Sequence, residues 1–327
     1  MKVALVTGGT GFVGSTLAKA LLQGGWQVRI LRREHSDLRA IGNTDVEHRF
    51  GDVRDLGSLK RALGGVDVVF HTAALVSYRR RERETMYETN IGGTRNVVQA
   101  CLEGGVGRLV HTSSIAAIGF TPDGSPADET TEFNWGSYDV GYRISKHEAE
   151  LEVKKGVKDG LDAVIVNPAI IIGPGDIHMH GGQLIRDVYK WRIFYYVSGG
   201  MNVVSVDDVV QGHLAAYHRG RTGERYILGG ENLTHKEVFT TIAKLLHRPT
   251  PLFRLPNSIA RAVAASAERY ASITMSKPWV TRELIAGLGT FSWYSVEKAK
   301  KELDYSFVPL KEIIPTTADW FRSHNML

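Results

Sequence analysis

Only one of the 327 residues is a cysteine, Cys101. A single thiol excludes an internal disulfide and any cysteine-built metal centre. Cys101 shares a helical stripe with Val97 and Val98, which makes it apolar filler. No apolar run approaches the roughly 20 residues of a membrane-spanning helix. A strand begins at Val3, which leaves no room for a secretory leader, so a cytoplasmic protein is expected. Charge of one sign is also scarce, since 40 Lys and Arg against 35 Asp and Glu leave a net charge of +5. The basic residues are scattered and not interleaved with stacking aromatics, so no nucleic-acid partner is expected. The densest run, Arg79-Arg80-Arg81-Glu82-Arg83-Glu84, alternates in sign at its end and reads as a solvated helix start. Repeats and low-complexity tracts are missing as well.

The hydrophobic residues, 43% of the total, suffice for a full core. Glycine is plentiful, and its placement carries the first functional signal. Val3 to Val6 reads as a buried parallel strand, and Ser15 to Leu22 reads as an amphipathic helix. Between them lies Gly8-Gly9-Thr10-Gly11-Phe12-Val13-Gly14, which fits both Gly9-x-Gly11-x-x-Gly14 and Gly8-x-x-Gly11-x-x-Gly14. A tight turn without Cβ atoms lets backbone approach a pyrophosphate, and the helix N-terminus that follows offers unpaired N–H groups to it. In this strand–turn–helix context the pattern predicts a dinucleotide site.

Strands and helices then alternate. Strands are expected at 27–31, 46–50, 66–71, 108–113 and 163–167, and helices at 58–63, 85–102 (with Asn90 inside) and 141–154. This rhythm predicts an α/β fold, a Rossmann-type doubly wound parallel sheet, with ligands beyond the carboxyl ends of its strands. After Pro168 the pattern loosens through Gly173-Pro174-Gly175-Asp176. Residues 202–206 read as a strand, with Asp207 and Asp208 capping the helix that follows. Residues 225–228 read as a last strand returning to the main sheet, and the remainder as a smaller, mainly helical substrate domain. The dinucleotide domain is thus expected at 1–167 plus about 202–230, and the substrate domain at about 168–201 plus 231–327.

Tyr142 and Lys146 stand four apart on a predicted helix and project the same way. A free phenol titrates near 10, and a nearby ammonium would lower that value and make Tyr142 a usable general acid or base. Lys146 can also donate to ribose hydroxyls of a nicotinamide cofactor. The fifth strand ends in Thr112-Ser113-Ser114, where a hydroxyl can hold a substrate oxygen; Ser114 is the first choice and Ser113 the second. His71 is expected to shape a strand-end turn. His178 and His180 supply two metal donors without a third, so a mobile loop is expected there and no metal.

Taken together, these motifs resemble the extended short-chain dehydrogenase/reductases of the NAD-dependent epimerase/dehydratase superfamily. The likeness runs through Thr7 to Gly14, Gly51-Asp52-Val53, His71-Thr72-Ala73-Ala74, Asn90-Ile91-Gly92-Gly93-Thr94, Thr112-Ser113-Ser114, Tyr142-x-x-x-Lys146, Asn167-Pro168 through Asp176, Val206 to Val209, and Leu303-Asp304-Tyr305 with Pro309-Leu310. Asn167-Pro168 and Gly229 to Thr234 are most similar to the dihydroflavonol-reductase-like branch, which includes the hopanoid-associated sugar epimerase-like proteins. The resemblance implies a Ser114–Tyr142–Lys146 triad and a homodimer. It also implies that Asp52 and Val53 flank the adenine, that Ala73 lines the cofactor path, and that Ala74, Asn90, Thr112, Asn167, Pro168 and Ile170 belong to the cofactor site.

The second strand ends in Leu31-Arg32-Arg33-Glu34. An acid expected near here for a ribose 2′-hydroxyl is replaced by guanidinium groups, which match a 2′-phosphate, so NADP(H) is expected ahead of NAD(H). NADPH suits net reduction of an aldehyde or ketone. The alternatives are a nucleotide-sugar epimerase or dehydratase, and a binding protein that senses NADP(H) without catalysis. The epimerase would need a diphosphate clamp, with Arg186, Arg192, Lys277 and Arg282 as candidates. Trp191, Phe194, Tyr195 and Tyr196 are read either as packing on an aromatic or terpenoid substrate or as core.

Overall fold

Short continuous apolar runs in the first half of the chain form the centre of a sheet buried on both faces. A computed structural model describes all residues except 191, 194, 275 and 277–279 and the side chain at 272. Trp191, Phe194 and Lys277 therefore lie outside the described residues. Along the chain the first strands are β1 (Val3–Thr7), β2 (Gln27–Arg32), β3 (Glu47–Phe50), β4 (Val68–His71), β5 (Arg108–Thr112) and β6 (Ala163–Pro168). Then come β7 (Ile170–Ile172), β8 (Tyr195–Tyr196), β9 (Gly200–Ser205), β10 (Arg225–Leu228), β11 (Glu231–Thr234), β12 (Phe253–Arg254) and β13 (Phe291–Ser292). Seven strands form one parallel sheet in the order β10-β6-β5-β4-β1-β2-β3. Strand order reverses beside β1, which opens a crevice at the carboxyl edge.

Successive side chains of β1 enter opposite cores. Ala4 and Val6 pack with Leu17 and Leu21 of α1 (Phe12–Gln23), whereas Leu5 joins Leu59 of α2 (Leu56–Ala62). The helix expected at 85–102 is instead interrupted. It consists of α3 (Arg83–Tyr87), a π-turn (Glu88–Gly92) and α4 (Gly93–Gly104). Asn90 explains the break. Its amide bonds the backbone of Leu75 in both directions, at 2.8 and 3.0 Å, and donates to Ser145 Oγ at 2.9 Å. A regular helix would turn that side chain away from these partners.

The catalytic-motif helix, α5 (Gly141–Lys158), covers the same face as α4. Beyond it lie α6 (Gly182–Tyr189), α7 (Val206–Arg219), α8 (His235–Leu245), α9 (Asn257–Thr274), α10 (Glu297–Leu303) and α11 (Leu310–Ser323). The strand expected at 202–206 is β9, which pairs with β7, β11 and β13 in a second sheet; α7, next in the chain, packs on the main one. Helix α7 is capped by Ser205, whose hydroxyl accepts from Asp208 N, and not by Asp207 or Asp208. Residues of α6, α8 and α11 close a third core around Ile185, Ile242 and Phe321. No described helix is long and apolar enough to cross a membrane.

Candidate active site

At the carboxyl edge of the main sheet lies a cleft of about 1020 Å³. Its floor is the turn after β1. Gly8 has φ +70°, and a Cβ there would stand 2.7 Å from Ala73 N. At Gly14 a Cβ would meet Gly8 O at 2.3 Å. Both positions demand glycine, one for its dihedral and one for the contact. Helix α1 begins at Phe12 with Gly11 as its N-cap, so no side chain caps the first-turn N–H groups that face the cleft. An uncapped helix start at a ligand cleft fits a pyrophosphate.

Thr10, Phe12, Val13, Arg32, Arg33, Asp52, Val53, Ala73, Ala74, Thr112, Pro168 and Ile170 line the cleft with Gly8, Gly11 and Gly14, as do Ser114, Tyr142 and Lys146. Asn90 and Asn167 do not. Asn90 is buried behind the Leu75 backbone, and Asn167 donates to Ser114 O at 2.9 Å and Glu150 Oε1 at 2.6 Å. Both therefore shape the wall from behind. Arg32 donates to His48 Nδ1 at 2.7 Å and lies 4.3 Å over the Phe50 ring. Arg33 makes no side-chain hydrogen bond or ion pair among the described residues. Glu34 is not part of the lining; Asp37 is, held by Arg39 at 2.7 Å.

The reacting end is built on β5 and α5. Ser113 is unavailable, because its hydroxyl donates to the buried Glu150 at 2.6 Å. Ser114 remains free to face Tyr142, while its oxygen accepts from Ala116 N at 3.1 Å. Lys146 is buried and donates to Thr112 O at 2.7 Å. Burial pulls its ammonium down to about 8, and Glu150 opposes that pull. The expected acidification of Tyr142 by Lys146 is not found. Burial and then the neighbouring Tyr78 phenol push Tyr142 up, while Ser114 and Arg143 pull the other way. The physical reason is burial of the phenol, while the Lys146 ammonium is bonded to the Thr112 carbonyl. Tyr78 packs edge-on against Tyr142 at 5.8 Å.

His71 spans Thr7 Oγ1 at 2.7 Å and Thr94 Oγ1 at 3.0 Å. Burial pulls it down to about 3, so it is a neutral strand-end brace. His178 and His180 line the cleft, and their segment is fastened by Asp176, which accepts from the N–H groups of His180, Gly181 and Gly182 at 2.9–3.0 Å. No described group of three or more His, Cys, Asp or Glu is arranged for a metal. Of the clamp candidates, Arg186 and Arg192 turn to Gln183 and Asp187, and Arg282 pairs with Glu268. None of these three arginines lines the cleft, and neither do Tyr195 and Tyr196.

Sequence reasoning missed three polar residues. Glu150, one turn beyond Lys146, pairs with Arg225 at 3.3 Å in the interior. Its spacing from Tyr142 and Lys146 was the available signal. Arg143 stacks 3.6 Å over the ring of the buried Trp135. Glu283, from the C-terminal segment, accepts from Gly141 N at 3.1 Å and from Arg83 at 2.6 Å, and so caps α5. Arg83 is thus an interior clasp and not part of a solvated face.

The NAD dependent epimerase/dehydratase family pattern matches residues 4–229. A Synechocystis sp. protein with a provisional dihydroflavonol 4-reductase name is 35% identical, covering 98% of this chain and 94% of its own. The crystal structure of gox2253 has a TM-score of 0.88 at 39% identity, with both chains fully covered. The dTDP-glucose 4,6-dehydratase DesIV of Streptomyces venezuelae, solved with NAD bound, has a TM-score of 0.77 at 25% identity over 99% of this chain and 98% of its own. With the phosphate turn, the strand order and the Tyr142–Lys146 helix in place, the chain belongs to the NAD-dependent epimerase/dehydratase family and is an enzyme of the extended short-chain dehydrogenase/reductase type.

Proposed function

We propose that the chain is an NADP(H)-dependent reductase of an aldehyde or ketone, working through Ser114, Tyr142 and Lys146. One observation carries the reading: the Ser114 hydroxyl, the Tyr142 phenol and the open start of α1 face a single cleft. The N–H groups of α1 would hold the pyrophosphate, with Asp52 and Val53 near the adenine. When bound, the nicotinamide supplies hydride from its C4. Ser114 holds the carbonyl oxygen, and Tyr142 delivers the proton from its phenol oxygen. A phenol pushed up by burial keeps that proton at neutral pH, which suits a donor. Lys146 keeps positive charge beside the Thr112 carbonyl and the site.

Arg33 supports NADP(H), because a guanidinium at the end of β2 with no hydrogen bond or ion pair among the described residues is a ready site for a 2′-phosphate. Arg32 stands beside it, oriented by His48 and Phe50. The test is NADPH oxidation with a panel of aldehydes and ketones. Tyr142→Phe should lower kcat/KM by about 10²–10⁴-fold while dinucleotide binding persists. An unchanged rate would remove the mechanism, and a preference for NADH would remove the cofactor assignment.

A further inference from the structure

Among the described residues, the Tyr142 end of the cleft carries one cation without an anionic partner. Arg143 follows Tyr142 on α5 and lines the cleft. Its guanidinium is held flat against the Trp135 ring at 3.6 Å and stands beside the Tyr294 hydroxyl. It is close enough to favour the phenolates of Tyr78, Tyr142 and Tyr294. Among the described residues no carboxylate pairs with it.

Of the other cations that line the same cleft, Arg33 belongs to the end of β2, and two more are committed. Lys146 is bonded to the Thr112 carbonyl, and Arg54 is paired with Asp52 at 2.9 Å. Glu283, which also lines the cleft, is paired with Arg83 at 2.6 Å and accepts from Gly141 N. A charge held in place, partly desolvated and uncompensated is costly unless a ligand completes it. A planar fork of donors with phenol hydroxyls around it suits a carboxylate. With one free cation there among the described residues, the fit is to a single negative charge rather than to a phosphate dianion.

We propose that Arg143 is an anion subsite that binds a carboxylate on the substrate, so that the natural substrate is an acidic carbonyl compound. This deepens the carbonyl-reductase reading and rests on it. The Trp135 stack fixes the guanidinium, and the carboxylate anchor would then orient the carbonyl toward Ser114 and Tyr142.

The test uses two matched probes, 4-formylbenzoate and its methyl ester, with NADPH. In the wild-type protein the acid should have the higher kcat/KM. In Arg143→Gln the acid-to-ester ratio should fall at least tenfold, and Arg143→Lys should restore part of it. A ratio cancels any general effect of the substitution on Tyr142. Calorimetry on the NADP⁺-loaded protein with 4-(hydroxymethyl)benzoate and its methyl ester reads the same selectivity without turnover. Equal handling of acid and ester by the wild-type protein, or a ratio unmoved in Arg143→Gln, overturns the subsite. Absence of NADPH oxidation with both probes, alongside acid-selective binding lost in Arg143→Gln, would reject the reductase reading and leave the subsite standing. If Arg143→Gln does not fold, the wild-type ratio and Arg143→Lys decide.

Discussion

Replacing Lys146 by methionine should make the protein more stable at neutral pH while abolishing the proposed carbonyl reduction. The ammonium is buried and pulled from 10.5 to about 8. Between those values the unfolded chain binds a proton that the native state does not, so native stability rises with pH. At about 1.4 kcal/mol per pH unit, holding the charge at about pH 7 costs on the order of 3 kcal/mol. Methionine removes that cost but also the bond to Thr112 O, worth about 1 kcal/mol net. Lys146→Met should therefore be more stable by about 2 kcal/mol at about pH 7 and less stable by about 1 kcal/mol at about pH 10.5. Urea unfolding of both proteins across this range measures the difference, and groups common to both cancel. A variant less stable at neutral pH, or a difference that does not change sign with pH, would refute the reasoning.

Arg33→Ala should lower the NADPH-to-NADH ratio of kcat/KM by about tenfold, the loss of one charge-assisted contact; steady-state kinetics with both coenzymes checks it. Gly14→Ala should abolish dinucleotide binding, read by fluorescence titration, and should cost about 1–3 kcal/mol in urea unfolding, because backbone at 2.3 Å cannot yield. Acid should unfold the protein steeply. His71 and His213 are pulled to about 3 and about 4 by burial, and His111 well below its ordinary 6.5, so the unfolded chain takes up protons that the native state refuses. Below about pH 6 stability should fall by about 4 kcal/mol per pH unit, and His213→Gln should reduce that slope by about a third. A flat urea midpoint between about pH 6 and about pH 4.5 would contradict it.

The phosphate turn and the strand order were legible because their signals are local. Gly8 to Gly14 sits between an apolar run and an amphipathic helix, and the central strands β1, β4 and β6 are short apolar segments. Tyr142 and Lys146 were legible through helical spacing, but their electrostatics were not. What Lys146 does depends on the Thr112 carbonyl, 34 residues away in the chain. Glu283 and Arg143 were hidden for the same reason, since Glu283 takes its meaning from Gly141 and Arg143 from Tyr294. The π-turn at Asn90 depends on Leu75 and Ser145, so periodicity alone returned an unbroken helix. Strand β9 satisfied the apolar pattern of either sheet, and pattern cannot choose between two acceptors of the same hydrogen bonds.

The contact between Glu283 and Gly141 N spans 142 residues of sequence. During synthesis the nucleotide pocket up to β6 can assemble early, whereas the start of α5 waits for a segment made much later. A chain released before that segment emerges would carry a complete phosphate cradle with an unfinished chemical end. Completion of that end is in this sense delayed until the segment around Glu283 has left the ribosome.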